Sequence, residues 1–168
     1  ASSADGKVWS QSKSGNSTFY GLAITASASR FVAVGRTYSF SQQAFFSGIY
    51  SSIDGVTWTN DSPTRNEALN GVTYGNGRFV AVGDKGIIWS SPDGLLWSVL
   101  QLVSEKDLRE VQFNGSSFLA VGDSGTALLS ADGVNWQDKS LTDTNTTANG
   151  VSFFKDTAGS GLTVLNGK

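Results

Sequence analysis

The sequence predicts an all-β domain built from repeated units of short strands. A seven-residue motif, Ser-x-Asp-Gly-x-x-Trp, occurs at residues 3–9, 52–58, 91–97 and 130–136. The motif belongs to a longer repeat, because Phe79 and Phe118, like Trp97 and Trp136, are 39 residues apart. Between these landmarks, short apolar or alternating runs are separated by turn residues, and no segment keeps a helical period. A strand-rich repeat of about 40 residues is typical of the blades of a β-propeller, since solenoid repeats of that length are helical.

Each unit contains four predicted strands. The first is the alternating run GVTY or EVQF, and the Asn-Gly pair that follows, at 76–77 or 114–115, supplies the positive φ angles of a tight hairpin. The second strand, RFVAVG or SFLAVG, is almost continuously apolar, as expected of a strand covered on both faces. A Gly-Asp-x-Gly turn leads to the third strand, GIIWSS or TALLSA. The Trp of the motif then opens a more polar fourth strand, which should lie outermost.

The repeated motif is predicted to be a hairpin corner. Ser and Asp side chains can bond to backbone amides two or three residues on, and Gly permits the unusual φ that such a turn needs. The Trp is predicted to fold back under the turn and to be fully buried, which stabilises the fold by about 4–6 kcal/mol as an upper bound. The corner residues are Asp5, Trp9, Asp54, Trp58, Asp93, Trp97, Asp132 and Trp136. A calcium-binding or catalytic role for these Asp residues is the weaker alternative, since each motif offers one carboxylate and a metal loop needs several converging oxygens.

Composition narrows the classes of function. The formal net charge is −2 and Lys and Arg form no cluster, so the basic surface needed for nucleic acids or anionic membranes is not predicted. No apolar run approaches the roughly 20 residues of a membrane span, so no membrane insertion is predicted. The absence of His and Cys excludes a Ser-His-Asp triad, a Cys nucleophile and His-ligated zinc. The sequence singles out no catalytic residue, no metal site and no cofactor.

The stretch from Gly75 to Trp97, which contains GNGRFVAVG and SPDGLLW, resembles the Asp-box (BNR-type) repeats of bacterial β-propellers. The resemblance extends over nearly the whole chain, although the motifs lack the residue that usually separates Asp from Gly and are a shortened variant. It implies a secreted or cell-surface propeller protein of a bacterium. Asp-box proteins include sialidases, other glycoside hydrolases, sorting receptors and photosystem II assembly factors, so the resemblance implies the fold far more than the function. The arginine cluster and Tyr/Glu pair of the sialidase site do not map onto this chain.

The chain is predicted to be a single domain, residues 1–168, with about four blades of four antiparallel strands. Complete units are expected at about residues 21–60, 69–102 and 108–141, with half-blades at 1–12 and 149–168. Two half-blades that share one sheet would close a four-bladed ring and remove its exposed edges. The alternatives are that the chain is part of a larger propeller, or that it associates with copies of itself to complete one.

One unit departs from the repeat by an insertion. Phe31 and Ser52 are 21 residues apart, whereas the corresponding residues of the next two units are separated by 12. The additional residues belong to the segment RTYSFSQQAFFSG, residues 36–48, which carries Tyr38, Phe40, Phe45 and Phe46. These aromatic side chains either bind a ligand from the rim of a rigid scaffold or fold back onto a neighbouring blade.

Function is therefore expected at the insertion and not at the repeated corners. The first hypothesis is a non-enzymatic binding module that recognises a glycan or a protein through rim loops, with Tyr38, Phe40, Phe45 and Phe46 as ligand-binding residues. One alternative is a carbohydrate-active enzyme or a fragment of one, which needs two carboxyl groups about 5–10 Å apart across a cleft. The other alternative is a structural subunit of a surface assembly.

Overall fold

The structure is a computed structural model, and it describes residues 18–63, 65–100, 104–140, 148–156 and 159–166. The predicted half-blade at residues 1–12, with Asp5 and Trp9, lies outside the described residues.

The strands form three four-stranded sheets and one two-stranded sheet. The first blade contains β1 (Thr18–Ala26), β2 (Phe31–Ser39), β3 (Ala44–Ser52) and β4 (Thr59–Asn60). The second blade contains β5 (Leu69–Gly75), β6 (Arg78–Gly83), β7 (Ile88–Ser91) and β8 (Ser98–Val99). The third blade contains β9 (Leu108–Phe113), β10 (Phe118–Gly122), β11 (Ala127–Ser130) and β12 (Gln137–Asp138). The half-blade consists of β13 (Ala148–Asp156) and β14 (Gly159–Asn166).

Within each blade, consecutive strands pair antiparallel and follow the chain order from the first strand to the fourth. The first strands lie side by side, with β1 packed against β5, β5 against β9 and β9 against β13. The blades are therefore stacked in chain order around a shared inner edge. The prediction of an all-β fold with four-stranded antiparallel units is confirmed. The fourth strands are short, at two residues each.

The two predicted Asn-Gly turns differ from each other. Asn76 and Gly77 both have positive φ angles, 46° and 71°, and they form a two-residue turn between β5 and β6. The second pair was expected to form the same turn, and this prediction is wrong. Residues 114–117 form a four-residue loop in which the Asn114 side chain accepts two backbone hydrogen bonds, at 2.9 and 2.8 Å. The side chain thus takes over the hydrogen bonding that a tighter turn would supply.

The second strand of a blade contributes to two cores. On β6, Phe79 and Ala81 pack against the first blade, whereas Val80 and Val82 pack against the third. The core between the first two blades consists of Val32, Val34, Ile49, Leu69, Val72, Phe79, Ala81, Ile87 and Trp89. The core between the second and third blades consists of Val80, Val82, Ile88, Leu108, Val111, Phe118, Ala120 and Leu128. Because successive side chains of a strand point to opposite faces, a continuous apolar run suits a strand buried on both sides.

The glycine of each corner motif forms part of the joint between neighbouring blades. Gly94 of the second blade is buried and has a φ of +75°, and a Cβ there would lie 2.9 Å from Cδ of Arg30 in the first blade. The same joint recurs one blade later, where a Cβ on Gly133 would lie 3.0 Å from Cδ of Arg78. Only glycine fits this position, because a side chain would be strained by the φ angle and would also displace the neighbouring blade.

Each joint arginine is held by a hydrogen bond within its own blade. Nη1 of Arg30 donates to Oγ of Ser51 at 3.2 Å, and Nη1 of Arg78 donates to Oγ of Ser90 at 2.8 Å. The aliphatic part of the arginine packs over the glycine of the next blade, while the guanidinium stays bonded to its own third strand. The arginine that precedes the second strand, together with Val32 or Val80, therefore packs against the corner glycine of the next blade.

Replacement of Gly94 by Ala tests the joint. We expect Gly94→Ala to lower the free energy of unfolding by about 2–4 kcal/mol, because left-handed backbone strain and overpacking act together. The matched control is Gly77→Ala, where φ is +71° but no atom lies within 4 Å of the added Cβ. This control should cost about 1–2 kcal/mol, the strain alone. Urea unfolding followed by tryptophan fluorescence measures both, and equal losses would show that the two blades do not meet at Gly94.

Candidate functional site

The corner motifs share one hydrogen-bond pattern. In the first blade, Oδ1 of Asp54 accepts hydrogen bonds from the amides of Val56 and Thr57 at 2.8 and 2.7 Å. The hydroxyl of Ser52 donates to the same carboxylate at 2.9 Å and accepts the amide of Gly55 at 2.8 Å. The corners of the second and third blades repeat these bonds around Asp93 and Asp132.

These hydrogen bonds keep the corner carboxylates ionised. Backbone amides that donate to Asp54, with help from the Ser52 hydroxyl, lower the pKa of Asp54 to about 2. The same cause lowers the pKa of Asp93 and of Asp132. Oδ1 of each carboxylate is engaged by the turn, and Oδ2 of Asp132 also accepts the Asn135 side chain at 2.7 Å, which suits a structural role better than a general acid. Within the ranges that the structure describes, no group of three or more His, Cys, Asp or Glu residues is placed to hold a metal ion.

The corner tryptophans are less buried than the sequence predicts. Trp58, Trp97 and Trp136 all have intermediate exposure, although each was expected to be fully buried. Trp97 packs against the core between the first and second blades, and Trp136 against the next core. Each indole lies at the outer rim, where the two-residue fourth strand is the last element of the sheet. One side of the indole therefore remains in contact with solvent.

Acid titration tests the corner hydrogen bonds. The pKa of Asp54 is depressed in the folded chain, so its ionised form stabilises the fold above about pH 4. This stabilisation is lost as the pH falls towards about 2. The free energy of unfolding of Asp54→Asn should therefore fall less between these two pH values than that of the unaltered chain. Urea unfolding at a series of pH values measures the difference, and superimposable pH profiles would contradict the hydrogen-bond assignment.

Asp61 supplies a control of opposite sign. Its pKa is raised, first by burial, against the opposing hydrogen bond from Ser51 and the charge of Arg30. Its protonation therefore favours the folded chain as the pH falls through the raised pKa of Asp61 towards the pKa of an ordinary Asp carboxyl. Asp61→Asn removes that gain, so the loss of stability on acidification should begin at a higher pH than in the unaltered chain.

The insertion extends the hairpin of β2 and β3. Both strands have nine residues, and they stay in register from Phe31 paired with Ser52 to Ser39 paired with Ala44. The corresponding strands of the other two blades have four to six residues. The inserted residues thus prolong two paired strands and end in a short turn, and they do not form an irregular loop.

Three predicted aromatic residues and one further tyrosine form a cluster on this hairpin. Ring centroids of Tyr38 lie 5.0 Å from Phe45 and 5.1 Å from Phe40, and Tyr20 of β1 lies 5.9 Å from Phe45. Phe40, Tyr20 and Phe45 are 64%, 52% and 44% exposed. We call these four residues the aromatic cluster. About half of the ring surface of Phe40, Tyr20 and Phe45 faces solvent, and ring pairs at these distances hold one another in place.

Phe46 lies on the opposite face of the hairpin from Phe45, because the strand alternates its side chains. There it lines an open pocket of about 690 Å³ between the hairpin and the segment that follows β4. The lining side chains are aromatic, hydroxyl or amide groups or proline, and none is charged; they include Phe40, Phe46, Ser39, Gln42, Asn60 and Pro63. Phe40 at the tip of the hairpin belongs to both the aromatic cluster and the pocket.

Charged residues at the inner ends of the blades are engaged in ion pairs. Arg109 donates to both carboxylate oxygens of Asp123, at 2.8 and 2.6 Å, and to Asp107 at 3.3 Å. The hydrogen bonds that Arg109 donates to Asp123 are the main cause that raises the pKa of Arg109. Arg36 of the first blade donates to Asp84 of the second at 3.1 Å. These pairs link strands and blades.

None of the described residues that line the pocket beside Phe46 carries a carboxyl group. Asp61 accepts the Ser51 hydroxyl at 2.5 Å and is not among the residues that line the pocket. Among the residues that the structure describes, no helix is long and apolar enough to cross a membrane. The arrangement at the hairpin is suited to binding by ring contacts and neutral hydrogen bonds.

Comparison with known proteins places the fold. No protein-family model matches the chain, and no curated protein matches it. The solved structure of YCF48 bound to D1 peptide is similar, with a TM-score of 0.60 and 19% sequence identity over 74% of this chain. The chain has a propeller-like all-β fold. It spans 40% of the length of the YCF48 chain.

Two weaker similarities accompany this one. The computationally designed Ika8 protein has 15% identity and a TM-score of 0.49, over 80% of this chain and 53% of its own. A structure from the GH130 family of mannoside phosphorylases, which contains glycoside hydrolases that target beta-1,2 mannosidic linkages in Candida mannan, has 12% identity and a TM-score of 0.43, over 73% and 49%. The resemblance of the corner motif to Asp-box repeats stays a prediction.

Proposed function

We propose that the chain is a non-enzymatic binding module that recognises a protein partner through the aromatic cluster. The observation that carries the proposal is the contiguous, partly exposed set of rings on the extended hairpin and the neighbouring β1, because the second and third blades lack this extension. Exposed apolar patches rimmed by polar side chains mark interaction sites, and aromatic residues dominate the binding energy of protein interfaces. A secreted or cell-surface location in a bacterium is part of the same proposal.

The hairpin is held by the connection that follows β4. The amide of Ser47 donates to the carbonyl of Arg65 at 2.7 Å, and the Ser47 hydroxyl donates to the carbonyl of Glu67 at 2.6 Å. The amide of Ile49 donates to the Ser62 hydroxyl at 2.9 Å. A surface that is ordered before binding loses little conformational entropy when a partner docks, so more of the contact energy contributes to affinity.

The YCF48 structure supports a protein ligand at the level of the fold. That protein is bound to a peptide, so a propeller-like scaffold of this kind can present a peptide-binding surface. At 19% identity the similarity carries no residue of the YCF48 site over to this chain.

A glycan is the second candidate ligand, and the pocket beside Phe46 favours it. The pocket is open and uncharged, and hydroxyl and amide groups surround two phenylalanine rings. Aromatic rings stack on the apolar faces of sugars, and neutral hydrogen-bonding groups orient sugar hydroxyls. This candidate depends on Phe46, whereas the protein-binding surface depends on Phe45, so the two can be separated by mutation.

Selection from a phage-displayed random peptide library tests the proposal. Peptides selected on the unaltered chain should bind Phe45→Ala and Phe40→Ala at least about 30-fold more weakly, which corresponds to about 2 kcal/mol. The matched control is Leu96→Ala, because Leu96 is 75% exposed on a corner of the second blade and makes no part of the cluster. Titration calorimetry measures the affinities, and circular dichroism checks that each variant is folded.

The same variants distinguish the two candidate ligands. Binding on a glycan array that is lost in Phe46→Ala and kept in Phe45→Ala would favour the pocket and the glycan. Selected peptides whose affinity is the same for the unaltered chain, Phe40→Ala and Phe45→Ala would overturn the aromatic cluster as the protein-binding surface.

A further inference from the structure

One face of the first blade is exposed at positions that the other blades bury. Ile24, Val72 and Val111 occupy the same place in their blades, because each pairs with the alanine in the middle of the second strand. Val72 and Val111 are 8% and 2% exposed, but Ile24 is 62% exposed. Among these three blades, the apolar residue at this position is therefore covered in the second and third and exposed in the first.

The phenylalanine that opens the second strand shows the same difference. Phe79 and Phe118 are 1% and 0% exposed, whereas Phe31 is 40% exposed. The corner glycine of the first blade, Gly55, also lacks a contact with a preceding blade. The nearest atom to a Cβ on Gly55 would lie 3.8 Å away, and it belongs to Phe31 of the same blade. The corner glycines of the second and third blades instead contact an arginine of the blade before them.

The missing cover can be described from the two joints that are complete. The second blade is covered by Val32, Val34 and Ile49 of the first, and the third by Val80, Val82 and Ile88 of the second. In both cases two alternate residues of a second strand and one of a third strand fill the face. The first blade therefore presents the receiving side of a blade-to-blade joint, which we call the receiving face: Ile24, Ala26, Phe31, Ala33 and Gly55.

We propose that the receiving face binds the half-blade end of a second copy of this chain. The half-blade packs on the third blade through β13, which contacts β9 and β10, so it continues the stack in the same direction. One molecule thus carries a receiving face at one end of the stack and, at the other end, a two-stranded sheet that supplies the first and second strands of a preceding blade. Contacts between two such different ends are heterologous and form a ring when the rotation closes.

A second copy explains the exposure better than the chain's own half-blade does. Ile24 and Phe31 keep 62% and 40% exposure in the single chain, so its own half-blade does not cover them. An apolar face of this kind is an association site in solution. The proposal is independent of the aromatic cluster, because none of the four residues of that cluster belongs to the receiving face.

Sedimentation equilibrium over a range of protein concentrations tests the association. We expect the mass to rise above the 17.7 kDa of one chain as concentration increases. Ile24→Asp should remain at the mass of one chain, because a carboxylate would be buried in the joint. Leu96→Asp is the matched control, since Leu96 is similarly exposed, at 75%, but lies on a corner outside the receiving face. This control should associate like the unaltered chain.

Cysteine labelling measures whether the receiving face is covered. The introduced thiol is the one that reacts, because the chain has no cysteine of its own. Ile24→Cys should react with a maleimide about tenfold more slowly in the associated protein than in dilute protein. This rate ratio corresponds to a difference of about 1.4 kcal/mol in the activation free energy of labelling. Leu96→Cys should react at one rate throughout. The Phe45→Ala variant should keep the same mass and the same labelling of Ile24→Cys, so failure of the peptide-binding proposal and failure of this one are distinguishable.

Two outcomes would overturn the proposal. A single-chain mass at every concentration, with Ile24→Cys as reactive as Leu96→Cys, would mean that nothing covers the receiving face. A single-chain mass with Ile24→Cys protected at every concentration would mean that a segment of the same chain covers it.

Discussion

The packing of one blade on the next is the interaction on which the rest of the structure depends. A sheet that sends alternate side chains of its second strand into two different cores has no core of its own. Val80 and Val82 leave β6 on one side and Phe79 and Ala81 on the other, so the second blade is stable because it lies between two others. The buried glycines of the corners allow neighbouring sheets to approach each other. Arginine and valine side chains of the preceding blade pack against these glycines. A blade with a neighbour on one side only therefore leaves the apolar side chains of its other face exposed.

The local parts of this fold could be predicted from sequence, and the parts that depend on neighbours could not. The hydrogen bonds around Asp54 lie within six residues of chain, so residue types alone specify them. The burial of Trp97 depends instead on the core between two blades, against which it packs, and the residues of the corner do not determine how far that core covers the ring. The Asn-Gly pairs at 76–77 and 114–115 are identical in sequence but differ in structure, because strand register decides how many residues the turn must span.

The candidate site shows the same division. An insertion rich in aromatic residues is visible from spacing, and the structure places it on a rim hairpin. Which rings meet is set by strand pairing: Phe45 lies opposite Tyr38, and Phe46, the next residue, points to the other face. Tyr20 was not predicted, because it lies on β1, well before the insertion in the sequence. The signal that could have found it is its place in an alternating strand that pairs with β2, two residues from a bulge at Leu22.

The insertion begins where the repeat changes charge. In the second and third blades the glycine that ends the second strand is followed by Asp84 or Asp123, and the chain turns there. In the first blade the corresponding residue is Arg36, and the strands continue. Arg36 pairs with Asp84 of the neighbouring blade at 3.1 Å. The Arg that replaces Asp at this position therefore also links the longer hairpin to the next sheet. This pair is partly exposed and contributes little to stability by itself. It does connect Arg36, where the strands pass beyond the length they have in the other blades, to the next sheet, and the rings of the aromatic cluster lie on that longer hairpin and on β1 beside it.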